Sequence, residues 1–142
     1  MKIKNIKLEV NLGEIERNRE LTSLFAHAMC DMDIAELDSL LHEEYKYHDK
    51  SKIDFLNWLH EKFAENLDNG LYFMPVKMRY CLSCKPGNPT LLFNQGFFPK
   101  EVDGCKGQKG FMLDFKAGKI SDITICYKWC NERELNELCQ MN

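Results

Sequence analysis

The sequence predicts an α+β domain in which three helices are followed by, and pack into, a strongly curved antiparallel sheet. Three observations carry this. Apolar residues recur at helical spacing from Leu21 to Leu67, and after Gly70 the pattern switches to alternation. Turn chemistry then interrupts the alternating half at Lys85-Pro86-Gly87-Asn88-Pro89 and at Ala117-Gly118, as in a meander. A chain of 142 residues can bury one ordinary core and is short for two, so residues 1–142 read as a single domain.

Taken in order, residues 2–12 place Ile3, Ile6, Leu8, Val10 and Leu12 between charged positions, and the partial alternation reads residues 1–13 as an extended N-terminal arm or short strand. Gly13 ends it. The first helix opens at Glu14, whose charge suits a helix N-terminus, and carries Leu21, Leu24, Phe25, Ala28, Met29 and Met32 on one face. The second starts at Asp33, with Glu36 three positions on in the capping-box pattern, and its stripe is Ile34, Leu37, Leu40 and Leu41. Residues 44–49 alternate aromatic and polar side chains and read as a short half-buried strand, with Tyr45, Tyr47 and Asp49 on one face and Lys46 and His48 on the other. Ser51 or Asp49 caps the third helix, whose stripe is Phe55, Leu56, Leu59, Phe63 and Leu67, with Trp58 on the flank. Asn69-Gly70 ends it.

In the second half, residues 72–84 read as a strand with Tyr72, Met74, Val76, Met78, Tyr80 and Leu82 on one face, and Pro75 confines it to an edge or a strand start. A second strand spans about 90–98, and the glycine-rich stretch 99–109 is a loop. Strands at 110–116 and 119–130 flank Ala117-Gly118. The first carries Phe111, Leu113 and Phe115 on one face, and the second Ile123, Ile125, Tyr127 and Trp129. The tail from Asn131 is a short helix, with Glu134 completing a capping box.

Composition excludes several function classes. A net charge of -3 with scattered Lys and Arg argues against a nucleic-acid binder. No apolar run approaches the roughly 20 residues needed to span a bilayer, and the charged start lacks a secretory signal, so a cytoplasmic location is expected. Seven cysteines then read as free thiols, because the cytosol keeps them reduced. Cys81-x-x-Cys84 resembles half of a zinc knuckle, and Cys126 and Cys130 share a strand face. Buried or interfacial thiols are nevertheless favoured over a metal site, so no metal is assigned. No phosphate loop, nucleophile elbow or HExxH is present, and His27 and His42 have no ligand partner at i+4.

Met32-Asp33 opening the second helix, Tyr47-His48-Asp49 leading into the third and Phe115-x-x-Gly118-Lys119-Ile120 near the end occur in an order that resembles the nuclear transport factor 2-like superfamily, with its SnoaL-like and ketosteroid-isomerase-like branches. The resemblance covers roughly residues 14–130. It implies a cystatin-like α+β cone or roll with a hydrophobic pocket at its mouth, and a homodimer through the sheet's outer face. It also places Asp49 where the isomerase branch has its general base. The two oxyanion-stabilising positions of that branch fall on Phe25 and Phe111, neither of which can donate a hydrogen bond, and such a donor is usually worth about 3–4 kcal/mol.

These readings converge on an apolar small molecule as the ligand. Asp49, desolvated inside an aromatic cone, would be a general base for isomerisation, cyclisation or dehydration without a cofactor; the competing reading of Asp49 is a helix cap. Tyr45, Tyr47, Trp58, Tyr80, Gln95, Tyr127 and Trp129 are the expected pocket lining, against a competing role in plain core packing. A non-catalytic ligand-binding or protein-interaction module of the same fold is the alternative.

Overall fold

Among the described residues, hydrophobic spacing produces an open four-stranded antiparallel sheet with three helices before it in the chain. The computed structural model describes residues 2–80, 88–93 and 110–126, with side chains described from residue 13 to 125. Helices α1 (Lys2–Cys30), α2 (Ile34–Leu40) and α3 (Lys52–Asp68) precede strands β1 (Lys77–Tyr80), β2 (Pro89–Leu92), β3 (Gly110–Lys116) and β4 (Lys119–Cys126). The strands lie in the sheet in chain order, each pairing with the next. Among the described residues the sheet does not close into a cone.

The expected N-terminal arm is instead the beginning of α1, which runs unbroken from Lys2. Ile3, Ile6 and Val10 also fit i, i+3, i+7 spacing, and an isolated glycine does not stop a helix: it costs roughly 1 kcal/mol against alanine. Gly13 is exposed, and a Cβ added there would meet nothing within 4 Å. Gly13→Ala is therefore expected to raise stability by about 0.5–1 kcal/mol in chemical denaturation.

Corners between the helices are set by left-handed residues. Asp33 N–H donates to Ala28 O and Met32 N–H to Met29 O, a Schellman closure with Met32 at φ 53°. The same Asp33 then caps α2, its carboxylate accepting from Glu36 N–H at 3.1 Å. Helix α3 ends the same way: Leu71 N–H donates to Asn66 O and Gly70 N–H to Leu67 O, with Gly70 at φ 81°. Space around Gly70 is open, so only the backbone angle resists a side chain there. Gly70→Ala should cost about 1–2 kcal/mol, opposite in sign to Gly13→Ala, by the same denaturation assay.

One core joins both halves. Helix α1 contributes Leu21, Phe25, Ala28 and Met29; α3 contributes Phe55, Leu56, Leu59 and Phe63; the inner face of the sheet contributes Leu91, Phe111, Leu113, Ile123 and Ile125. Phe111 is its hub, with ring centroids 4.9 Å from Phe93, 5.8 Å from Phe55, 6.2 Å from Trp58 and 6.4 Å from Phe25. Two stripe residues fall outside it: Leu24 and Leu67 are exposed. A register shift between Asp114 and Phe115 inserts Ser121 as the extra residue of β4. That bulge brings Ile120 to the buried side together with Ile123, although an odd spacing would otherwise put them on opposite faces.

Two further segments differ from expectation. Residues 71–76 are irregular, so the strand expected from residue 72 begins only at Lys77; Met74 N–H is drawn to the end of α1 by Cys30 O at 2.8 Å. Residues 44–49 are not a strand but lead into a two-residue turn closed by Tyr47 and Lys50, whose N–H and C=O groups bond reciprocally at 2.8 and 3.0 Å. His48 and Asp49 occupy its centre with φ 52° and 57°, the type I′ pattern. Ala117 and Gly118, at φ 50° and 72°, repeat it between β3 and β4, where a tight connection was expected. Residues 81–87, 94–109 and 127–142, and with them Leu82, the expected tail helix and the cysteines 81, 84 and 130, lie outside the described residues, as does the side chain of Cys126.

Candidate functional site

The two segments that the sequence reading combined into one pocket lie in different parts of the structure. Residues 42–50 line up along β4. Lys119 Nζ pairs with Glu44 Oε1 at 2.8 Å, the Tyr47 hydroxyl donates to Ile120 O at 2.8 Å, and His48 N–H donates to Ile123 O at 2.8 Å. Pairing with the Lys119 ammonium lowers the Glu44 carboxyl below its usual value. The contact occupies carbonyls of a strand that has no further partner strand among the described residues, which protects an edge.

Asp49 sits at the apex of this turn and is exposed. Positive φ at two successive residues turns the chain outward, and short carboxyl side chains tolerate that conformation. It does not cap α3: Ser51 Oγ accepts from Asp54 N–H at 3.2 Å. The capping role is thus taken by Ser51, and Asp49 holds a turn position.

The aromatic residues divide. Tyr47 is fully buried, and its hydroxyl both donates to Ile120 O and accepts from His42 N–H at 2.9 Å, so the ring is a core element with a satisfied tip. Burial pushes the phenol above its ordinary value of 10.0. Tyr45 and Trp58 are half-buried against the core, and Trp58 stacks near Phe55 and His48 at 5.8 Å each, with Lys50 Nζ 6.0 Å from its ring centre. Phe25 and Phe111 pack against each other where the isomerase resemblance would put oxyanion donors. Of the expected lining residues, Tyr80 borders an open cavity; Gln95, Tyr127 and Trp129 lie outside the described residues.

That cavity, of about 810 Å³, is a groove between α1 and the β1 end of the sheet. Its volume falls in the roughly 300–1,000 Å³ range of small-molecule sites. The helix wall is a second stripe of α1, beside the core stripe, running from Ile15 through Thr22, Ser23 and Ala26 to Cys30. Four of these side chains are short, and a helix cannot approach the sheet more closely there because Leu21, Phe25 and Met29 already rest on the core. The opposite wall is Val76, Met78, Tyr80, Pro89 and Phe115. Strand register explains their grouping: Met78 pairs with Leu91 and Tyr80 with Pro89, so these side chains share the sheet face that buries Leu91.

Two contacts orient the groove. Met74 N–H meets Cys30 O at one end. At the other, Gly118 lies against Arg17, so that a Cβ there would be 3.6 Å from Arg17 Cγ. The strand β1 therefore runs back along α1, with Val76 near Cys30, and Tyr80, Asn88 and Phe115 toward the Ile15–Arg19 end.

Comparisons of the chain with protein-family models, with curated proteins and with solved structures find no match. The groove's own chemistry is what remains. Arg19 is its cation, and Asn18, Thr22, Ser23, His27, Tyr80 and Asn88 supply further hydrogen-bonding groups. Asn88 is held by its own amide, which donates to Asp114 Oδ1 at 2.6 Å. No group of three or more metal-ligating side chains occurs among the described residues, and no described helix is long and apolar enough to cross a membrane.

The α1 half of this site was missed by sequence reading. Its signal was present: Thr22, Ser23, Ala26 and Cys30 put small side chains at successive turns directly beside an apolar stripe. Grouping only the large apolar residues treated that second stripe as solvent-facing.

Proposed function

We propose that the protein is a non-catalytic small-molecule-binding module whose site is the groove between α1 and β1. The observation that carries the reading is an elongated cavity of about 810 Å³ with Val76, Met78, Pro89 and Phe115 on one wall and short side chains on the other. The helix-first α+β order supports placing the domain with the SnoaL-like, nuclear transport factor 2-like proteins, among the branches with a binding role. Catalysis through Asp49 finds no support, since the carboxylate is exposed on a turn and the two positions that the resemblance would give to oxyanion donors are Phe25 and Phe111, packed against each other.

A neutral apolar dye such as Nile red tests this. Saturable binding to the wild-type protein is expected, with at least a tenfold loss in Ala26→Phe and in Ser23→Phe. Both substitutions put a large ring into the groove from a helix position outside the fully buried core. Asp49→Asn should bind as wild type does. Dye binding unchanged in both groove-filling variants, with their circular dichroism melts intact, overturns the reading.

A further inference from the structure

Helix α1 presents a cation to one end of the groove. Arg19 lines the groove, is exposed, and makes no ion pair among the described residues. Its neighbour Arg17 differs: it pairs with Glu20 at 3.6 Å and is not part of the lining. No carboxylate occurs among the described lining residues, although the chain as a whole carries a net charge of -3. Among the described residues, then, the groove of an overall anionic protein holds no acid and presents a guanidinium outside any ion pair, which favours an anion there.

The polar groups are also segregated along the slot. Arg19, Asn18, Asn88 and Tyr80 gather toward the Ile15 end, while Ala26, Cys30 and Val76 form the other, with the His27 imidazole beside them. The stretch of α1 from Ile15 to Cys30 spans about 20 Å at 1.5 Å per residue. The slot is thus long, with the Arg19 cation and the Asn18, Asn88 and Tyr80 hydrogen-bonding groups at one end and Ala26, Cys30 and Val76 lining the other beside His27.

Resting on the groove reading above, we infer that the ligand is a single-chain amphipathic carboxylate. Its head group is bound by the Arg19 guanidinium, with amide and phenol donors from Asn18, Asn88 and Tyr80 nearby. Its hydrocarbon chain lies between Ala26 and Met78 and points toward Cys30 and Val76. A planar guanidinium matches a carboxylate with two parallel hydrogen bonds, which a lone ammonium cannot do.

The test is calorimetric titration of the full chain with octanoate, decanoate and dodecanoate below their micelle concentrations, and with 1-decanol as the uncharged partner of decanoate. Affinity should rise about fourfold per added methylene while the chain remains inside the slot. Decanoate should bind about tenfold tighter than decanol, and Arg19→Gln should remove that difference. Arg17→Gln should alter neither ligand. Equal binding of decanoate and decanol by the wild type, insensitive to Arg19→Gln, overturns the carboxylate assignment and leaves the groove itself standing. Failure of both ligands to bind the wild-type protein removes the groove reading together with the inference.

Discussion

Replacing Tyr47 by phenylalanine will lower stability by about 2–4 kcal/mol, a large effect for the loss of one oxygen. The hydroxyl is fully buried and joins the backbone on both sides of it, donating to Ile120 O at 2.8 Å and accepting from His42 N–H at 2.9 Å. Deletion leaves a buried carbonyl of β4 and a half-buried amide of the preceding loop without this partner, and abandoning a buried group costs roughly 1–3 kcal/mol. The ring, retained in phenylalanine, keeps its packing 6.0 Å from Phe55. Tyr45→Phe is the matched control, since Tyr45 is only half-buried and should change stability little. The phenol also predicts a pH dependence. Burial raises its folded-state value above 10.0, so the folded chain retains a proton that the unfolded chain has released. The stabilisation is complete below pH 10.0 and is lost as pH rises from there through the folded-state value. Denaturation curves across that window should show a falling stability that flattens in Tyr47→Phe.

Gly110→Ala is expected to be at least as damaging, at about 3 kcal/mol or more. Gly110 is buried and pairs with Leu92 on one side and Cys126 on the other. A Cβ built there runs into the carbonyl oxygen of Leu91, with Leu92 Cδ2 at 3.0 Å. A side chain could rotate away, but a backbone oxygen held in a ladder moves only if β2 and β3 separate. Overpacking of this kind typically costs roughly 1–3 kcal/mol where side chains can adjust, and more where backbone must shift. A fall of about 10 °C in Tm is the corresponding thermal readout.

Much of the fold was legible because its largest signals are local. Asp33 and Ser51 each cap the helix that follows them, Gly70 closes α3, and Ala117-Gly118 turns β3 into β4. These depend on neighbours a few residues away, and short spacing carries that information. The N-terminal arm failed for a related reason: Ile3, Ile6 and Val10 suit helical spacing as well as partial alternation, and Gly13 was given the weight of a boundary. The stretch 44–49 failed differently. Its alternation was real, but two consecutive left-handed residues at His48 and Asp49 make a turn, and neither residue type forces positive φ.

The site was harder to read than the fold. Alternation correctly grouped Val76, Met78 and Tyr80 on one face, yet it does not tell whether a helix covers that face tightly or leaves a gap. The gap arises because α1 rests on its Leu21–Phe25–Met29 stripe while Thr22, Ser23 and Ala26 fall short of β1. Arg19 carried no motif and acquires meaning only from its position at the end of that gap. Asp49 is the opposite case. It was conspicuous beside aromatic neighbours, but Tyr47 turned inward to serve the backbone and the carboxylate turned out.

The measurement that bears most directly on the groove is backbone amide chemical-shift mapping of the isotopically labelled protein titrated with decanoate. Saturable shifts should concentrate on Arg19, Ser23, Ala26 and Cys30 of α1 and on Val76, Met78 and Tyr80 opposite them, while the turn at His48 and Asp49 stays unperturbed. Shifts centred on residues 47–58, with the inner stripe of α1 unchanged, would contradict the groove as the binding site.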